Sequence, residues 1–164
     1  MSREAAFIDG LRLLAGHSAA RGLLDDAAVL EVGGEALVLT HDMLVEGVHV
    51  LPGQDAADIA WKLVATNLSD LAGKGAEPVG VLLGHMLGDD DERFLLGLAQ
   101  VLGRYDVPLL GGDTVAGEGL RSWGLTAIGR ATSVRVPAGV IATSAVRTVA
   151  PVASKSCWLV MRLC

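Results

Sequence analysis

Four aspartates stand at positions that favour exposure at the ends of structural elements. Asp26 closes the turn Leu24–Asp25–Asp26, and Asp42 follows the apolar run Leu37–Thr40. Asp70 lies on a long helical pattern, and Asp113 follows Gly111–Gly112 after a short apolar run. Carboxylates at strand ends can converge at one edge of a sheet. Grouped without a cation they would repel one another, so a metal is the natural occupant. Mg²⁺ is typically held by a few carboxylates, with phosphate oxygens completing its shell. Paired glycines such as Gly111–Gly112 let backbone N–H groups come close to a phosphate.

Each position also has a plainer reading. Asp25–Asp26 suits a turn with a capping side chain. Asp42 reads as a solvated loop residue, and Asp70 precedes Lys74 by four residues, the spacing of a surface ion pair. Against this, Thr66, Asn67 and Asp70 share a flank of one helix beside its apolar stripe. The histidines are His17, His41, His49 and His85. His41 and His49 flank Asp42, but their spacing matches no common zinc pattern. His49 reads either as a plain loop histidine or as a donor to a substrate phosphate. The chain contains no GxxxxGK[ST] loop, no dinucleotide GxGxxG and no GxSxG elbow, so an ATP site here would be of a less common type.

The elements that must position these residues can be read from periodicity. Arg3–His17 is expected to be a helix, with Phe7, Leu11 and Leu14 on one face. After a turn at Gly22–Asp26, Ala27–Val32 and Ala36–Thr40 read as strands joined by Gly33–Gly34. A loop is expected over Asp42–Gly53. Asp55–Gly75 is the clearest helix, carrying Trp61, Val64, Leu68 and Leu71, with Gly73 and Gly75 at its end. Pro78–Leu87 reads as a strand. Asp89–Tyr105 reads as a helix with aspartates at its positive end and Phe94, Leu98 and Leu102 on one face. Val107–Leu110 and Trp123–Ile128 complete the strands. Strands alternating with two long helices indicate an α/β or α+β fold, and no internal repeat is evident.

The composition narrows the function classes. The chain has 164 residues and a formal charge of −6, with no basic patch, which argues against non-specific nucleic-acid binding. The start MSREAAFIDG lacks the apolar core of a secretory signal, and no stretch reaches the length of a membrane span. Both cysteines, Cys157 and Cys164, fall late and form no CxxC pair, which suits a reducing cytoplasm. All 19 acidic residues precede Thr132. Residues 1–131 hold nine basic side chains against these nineteen, a net −10, while 132–164 holds four basic side chains and no acidic one. That break divides the chain into a first domain, 1–131, and an atypical tail, 132–164.

Four segments together carry a family resemblance. LDDAAVL (24–30), THDMLVEGVHVLP (40–52), WKLVATNLSDLAGKGAEP (61–78) and YDVPLLGGDT (105–114) resemble, in order and spacing, the motifs of thiamine-monophosphate kinases. The resemblance runs from about Gly22 to Arg130. It implies the N-terminal domain of the aminoimidazole-ribonucleotide-synthetase type, a sheet-and-helix unit that pairs into a barrel in a homodimer. It further implies ATP and Mg²⁺, with transfer of the γ-phosphoryl group to thiamine monophosphate. By motif, Asp26, Thr40, His41, Asp42, Asp70 and Asp113 resemble magnesium-binding positions. Tyr105, Gly112 and Asp113 resemble ATP contacts, and His49 resembles a substrate contact.

This sequence departs from the family in three places. The turn before the aspartates usually reads Gly-x-Gly-Asp-Asp; here it is Gly22-Leu23-Leu24-Asp25-Asp26, and Leu24 is poorly suited to a positive φ. His41 stands where a small or hydroxyl residue is frequent, so ligation there would use its backbone. After about Val136 the match ends, as a shifted reading frame or a truncated product would produce. A chain without the second domain is expected to bind ATP without appreciable turnover. Rival readings are a non-catalytic dimerising remnant and another enzyme of the superfamily, such as selenophosphate synthetase, whose catalytic Cys or Sec has no counterpart near this N-terminus. A third is an interaction domain with surface aspartates only.

Overall fold

In the computed structural model, residues 2–131 are described. The elements run α1 (Arg3–Arg12), β1 (Ala27–Val32), β2 (Glu35–Val45), α2 (Ala56–Gly73), β3 (Ala76–Met86), α3 (Asp91–Tyr105), β4 (Leu109–Val115) and β5 (Ser122–Ala131), with a 3₁₀ segment at Ser18–Leu23. The mixed α/β class read from the sequence is the one observed. The tail with its two cysteines lies outside the described residues.

The five strands form one sheet in the order β1-β2-β5-β3-β4. Only β3 and β4 run parallel, as the crossover through α3 requires. Gly33 and Gly34 both have positive φ and turn β1 back onto β2. The helix α2 starts at Asp55, whose Oδ1 accepts from the Ala57 N–H at 2.9 Å. It ends where Gly75, at φ 67°, breaks the helical path. One face of α2, with Ile59, Leu63, Val64, Leu68 and Leu71, packs on the sheet and α3. The sheet answers with Val38, Val81, Leu125 and Ala127, each fully buried. Alternation along the strands thus gives a helix-covered face and a face left open by the described residues.

Several boundaries differ from the sequence reading. The first helix stops at Arg12 rather than His17, and it buries no residue. Phe7 and Leu14 are exposed, so the apolar spacing there serves no core among the described residues. Strand β2 continues through Asp42 to Val45, because β5 pairs with it along that whole length. Asp42 is therefore a strand residue, not part of a loop. Likewise Gly111, Gly112 and Asp113 lie within β4 rather than after it. The third helix begins at Asp91. Leu24 keeps a negative φ, and the left-handed conformation falls instead on Arg21, Gly22 and Leu23.

Candidate metal and nucleotide site

Pairing of Ala27 with Thr40 puts the start of β1 beside the middle of β2. Asp26, one residue before Ala27, therefore emerges next to Thr40. The buried Thr40 points to the helix layer, where its Oγ1 donates to Asp70 Oδ2 at 3.0 Å. Asp42, two residues further along β2, lies on the same helix-facing side by strand alternation. Asp26, from a turn, and Asp42, from a strand, thus lie near enough to the helix residue Asp70, at the C-terminal end of α2, for their charges to act on it.

Their charges act on one another. Burial pushes the Asp70 carboxyl up, and the negative charges of Asp42 and Asp26 push it further, to about 6, against the lowering effect of the Thr40 hydroxyl. The Oδ2 atom of Asp42 is buried and has no hydrogen-bond partner. A buried, unpaired carboxylate oxygen facing other carboxylates is costly unless a cation neutralises it. Among the described residues, no three His, Cys, Asp or Glu side chains close into a metal cage. Mg²⁺ is a hard cation that takes few protein oxygens and completes its shell with water and phosphate. The donor set, all oxygen and mostly anionic, fits that ion.

The remaining positions distribute differently. His41 lies on the open face, its Nδ1 2.8 Å from Thr126 Oγ1. Asp113 pairs with Gly84, which pairs with Gly124, which pairs with Met43. This row lies on the open face, opposite Asp42, and two strands separate β4 from β2. The Asp113 Oδ1 accepts from the Thr114 N–H at 2.9 Å. Gly112 lies so close to β3 that a side chain there would overlap the Leu83 carbonyl. Tyr105, at the end of α3, sets its ring edge-on to Trp61 at 6.3 Å between centroids.

His49 sits in the turn after β2. Its Nδ1 accepts from the Val45 N–H at 3.2 Å, and its carbonyl accepts from Lys62 Nζ at 2.6 Å. With Nδ1 as acceptor, Nε2 is the ring nitrogen able to donate.

Two arrangements escaped the sequence reading. Lys74 pairs not with Asp70 but with Asp25, Nζ to Oδ2 at 3.1 Å. Burial disfavours the Asp25 carboxylate, yet the Ala27 N–H, then Lys74 and Arg21, hold its pKa below the ordinary range. The second is a cluster at the end of β3. Here His85 Nε2 lies 2.8 Å from Asp91 Oδ1, and Arg121 reaches Asp90, Asp91 and the Met86 carbonyl. No periodic signal reveals either, because each joins residues 6 to 49 positions apart through tertiary packing.

Residues 24–131 match the model of the AIR synthase related protein family, N-terminal domain. The thiamine-monophosphate kinase of Caulobacter vibrioides is 48% identical over 113 residues, covering 65% of this chain and 32% of that protein. The Escherichia coli K12 enzyme of the same name is 44% identical over 101 residues, covering 58% and 31%. Among solved structures, AaThiL complexed with AMPPCP and TMP superposes with a TM-score of 0.69 at 27% identity, covering 77% of this chain and 41% of that one. The chain spans about a third of the length of the curated relatives it matches.

Proposed function

The chain belongs to the AIR synthase related protein family through its N-terminal domain, and from that premise we propose that it forms the Mg²⁺- and ATP-binding part of a thiamine-monophosphate kinase. The reaction is transfer of the γ-phosphoryl group of ATP to thiamine monophosphate. The observation that carries this reading is the convergence of Asp26, Asp42 and Asp70, with a buried, unpartnered oxygen on Asp42. It is supported by the similarity to kinases of that name and to a structure complexed with AMPPCP and TMP.

Asp26, Asp42 and Asp70, with Thr40 aligning Asp70, would hold Mg²⁺, which when bound offsets the charge of the phosphates and of the transferring group. The chain's own residues then act by position. Gly112 and Asp113 supply close backbone and a carboxylate on β4 for the nucleotide, with Tyr105 as a further contact. His49 offers its Nε2–H to the phosphate of the acceptor. No covalent intermediate is needed, and alignment with electrostatic stabilisation carries the rate. The open face, lined by Leu39, Met43, Leu82 and Ile128, is where a second copy would pack to form a homodimer. A cytoplasmic location belongs to the same reading.

The test is calorimetry with the full chain, titrating a non-hydrolysable ATP analogue with and without Mg²⁺, then thiamine monophosphate. Magnesium-dependent nucleotide binding is expected. Nucleotide binding indifferent to Mg²⁺ would remove the carboxylate cluster from the reading.

A further inference from the structure

The turn that delivers Asp26 is strained. Arg21, Gly22 and Leu23 have φ values of 53°, 69° and 50°, three left-handed residues in a row of which only one is glycine. Such a conformation persists only where its surroundings hold it. Part of the hold comes from α1: Arg12 donates through Nε to the Gly22 carbonyl and through Nη2 to the Leu23 carbonyl, both at 3.3 Å. A further part centres on Asp25, which Lys74 reaches from the end of α2. Asp25 Oδ1 accepts from the Ala27 N–H at 3.1 Å, while its Oδ2 meets Lys74 Nζ at 3.1 Å and Arg21 Nε at 3.3 Å. The side chains of Lys74 and Asp25 are only 5% and 6% exposed.

A lysine is rarely buried so deeply, and a buried ion pair adds little to stability over well-packed apolar residues. Its best-attested use is to fix one arrangement among several. The arrangement here is informative. Lys74 is the C-cap of α2, one helical turn beyond Asp70, and Asp25 is the neighbour of Asp26. One end of one helix thus carries both a carboxylate of the cluster and the cation that holds the turn bearing another.

We propose that Lys74 is a positioning residue: its buried ion pair with Asp25 locks the left-handed turn Arg21–Leu23 and so sets Asp26 beside Asp70 in the metal cluster. This rests on the magnesium reading above. Leu23, at φ 50°, takes a conformation that glycine would adopt freely. The clamp replaces that freedom with an imposed geometry.

The experiment uses the full chain and two readouts. Lys74→Met keeps the length of the stem and removes the charge. In the metal-free chain, hydrogen exchange at the Ala27 amide should quicken, because its acceptor Asp25 is released. Mg²⁺ affinity in the presence of a non-hydrolysable ATP analogue should fall about tenfold, the scale of losing an orienting contact. The double variant Lys74→Met with Leu23→Gly should recover most of that affinity, since glycine takes the positive φ without strain. Should Lys74→Met fail to fold, Asp25→Asn with Lys74→Met removes both charges and should show the same loss. Unchanged Ala27 exchange would overturn the clamp. Faster exchange with unchanged Mg²⁺ affinity would overturn its positioning role. A wild-type chain that binds no Mg²⁺ would overturn the metal reading and this role with it, leaving Ala27 exchange to judge the clamp by itself.

Discussion

The Oγ1 of Thr40 donates a 3.0 Å hydrogen bond to Oδ2 of Asp70, joining the middle of β2 to the end of α2 across 30 residues. That bond favours the ionised carboxylate, yet burial and the charges of Asp42 and Asp26 outweigh it and raise Asp70 to about 6. A carboxyl raised from 3.8 binds its proton more tightly folded than unfolded. Between those two values the folded state holds the extra proton, so stability falls as pH rises through the window and stays lower above about 6. Asp25, Asp55 and Asp91 are shifted downward, so their effects lie below that window. Thermal unfolding of the metal-free chain from pH 4 to 7 should show the decline. Asp70→Asn, which can still accept from Thr40, should flatten it and be the more stable protein at pH 7. A decline of equal depth in the variant would remove Asp70 as its source.

Asp42→Asn tests the unpartnered oxygen. The substitution keeps the shape and removes a buried negative charge. Without metal, the variant should be at least as stable as the wild type in urea. With Mg²⁺ and an ATP analogue, calorimetry should show a loss of affinity of about two orders of magnitude or more, since a metal ligand contributes more than an orienting contact. Unchanged affinity would place Asp42 outside the metal site.

What the sequence revealed, and what it hid, follows from the range of each signal. The helix Ala56–Gly73 was legible because its apolar spacing, its Asp55 cap and its glycine stop are local and agree. The β1–β2 hairpin was legible from Gly33–Gly34. The extension of β2 through Asp42 was not, because that stretch is held by pairing with β5, some 80 residues away, and its own residues look like a loop. Convergence of the aspartates was left open by spacing, and only the family resemblance put Asp26 and Asp70 in one site; the register of Ala27 against Thr40 brings the start of β1 beside the middle of β2. The faces were harder. A one-residue step along a strand reverses the side chain, so the opposite orientation of Asp113 and Asp42 depends on a register across four strands that no local pattern encodes. Lys74 misled in the same way: its i,i+4 spacing to Asp70 suggested a surface pair, while tertiary packing gave it to Asp25.

The contact between α2 and α3 depends on Gly97. A methyl group there would overlap the backbone of Ala57 in the first turn of α2. Backbone cannot move aside as a flexible side chain would, so the helices must separate. Gly97→Ala should therefore destabilise the chain by about 1–3 kcal/mol despite the better helix propensity of alanine. Chemical denaturation measures this directly. A stabilised variant would mean that the helices are not in such close contact.

The open face of the sheet makes the last prediction. Met43, Leu82 and Val115 are 52%, 38% and 58% exposed, and Leu39 and Ile128 lie between them on the same face by register. Strands that alternate apolar on both sides are expected when both faces are covered. Among the described residues the helices cover one face only, and Ile128 sits in the central strand β5, where no edge effect explains an apolar side chain directed outward. Pairing with a second copy would cover the row symmetrically, one surface patch meeting itself. The full chain should therefore sediment as a dimer at micromolar concentration. Leu82→Glu places a charge near the centre of the row and should shift it to monomer, because a carboxylate buried between two apolar faces has no partner. The helix-facing side is untouched, so far-UV circular dichroism and a retained cooperative thermal transition distinguish loss of pairing from loss of fold. A wild-type chain that stays monomeric at tens of micromolar would show that something other than a second copy covers this face.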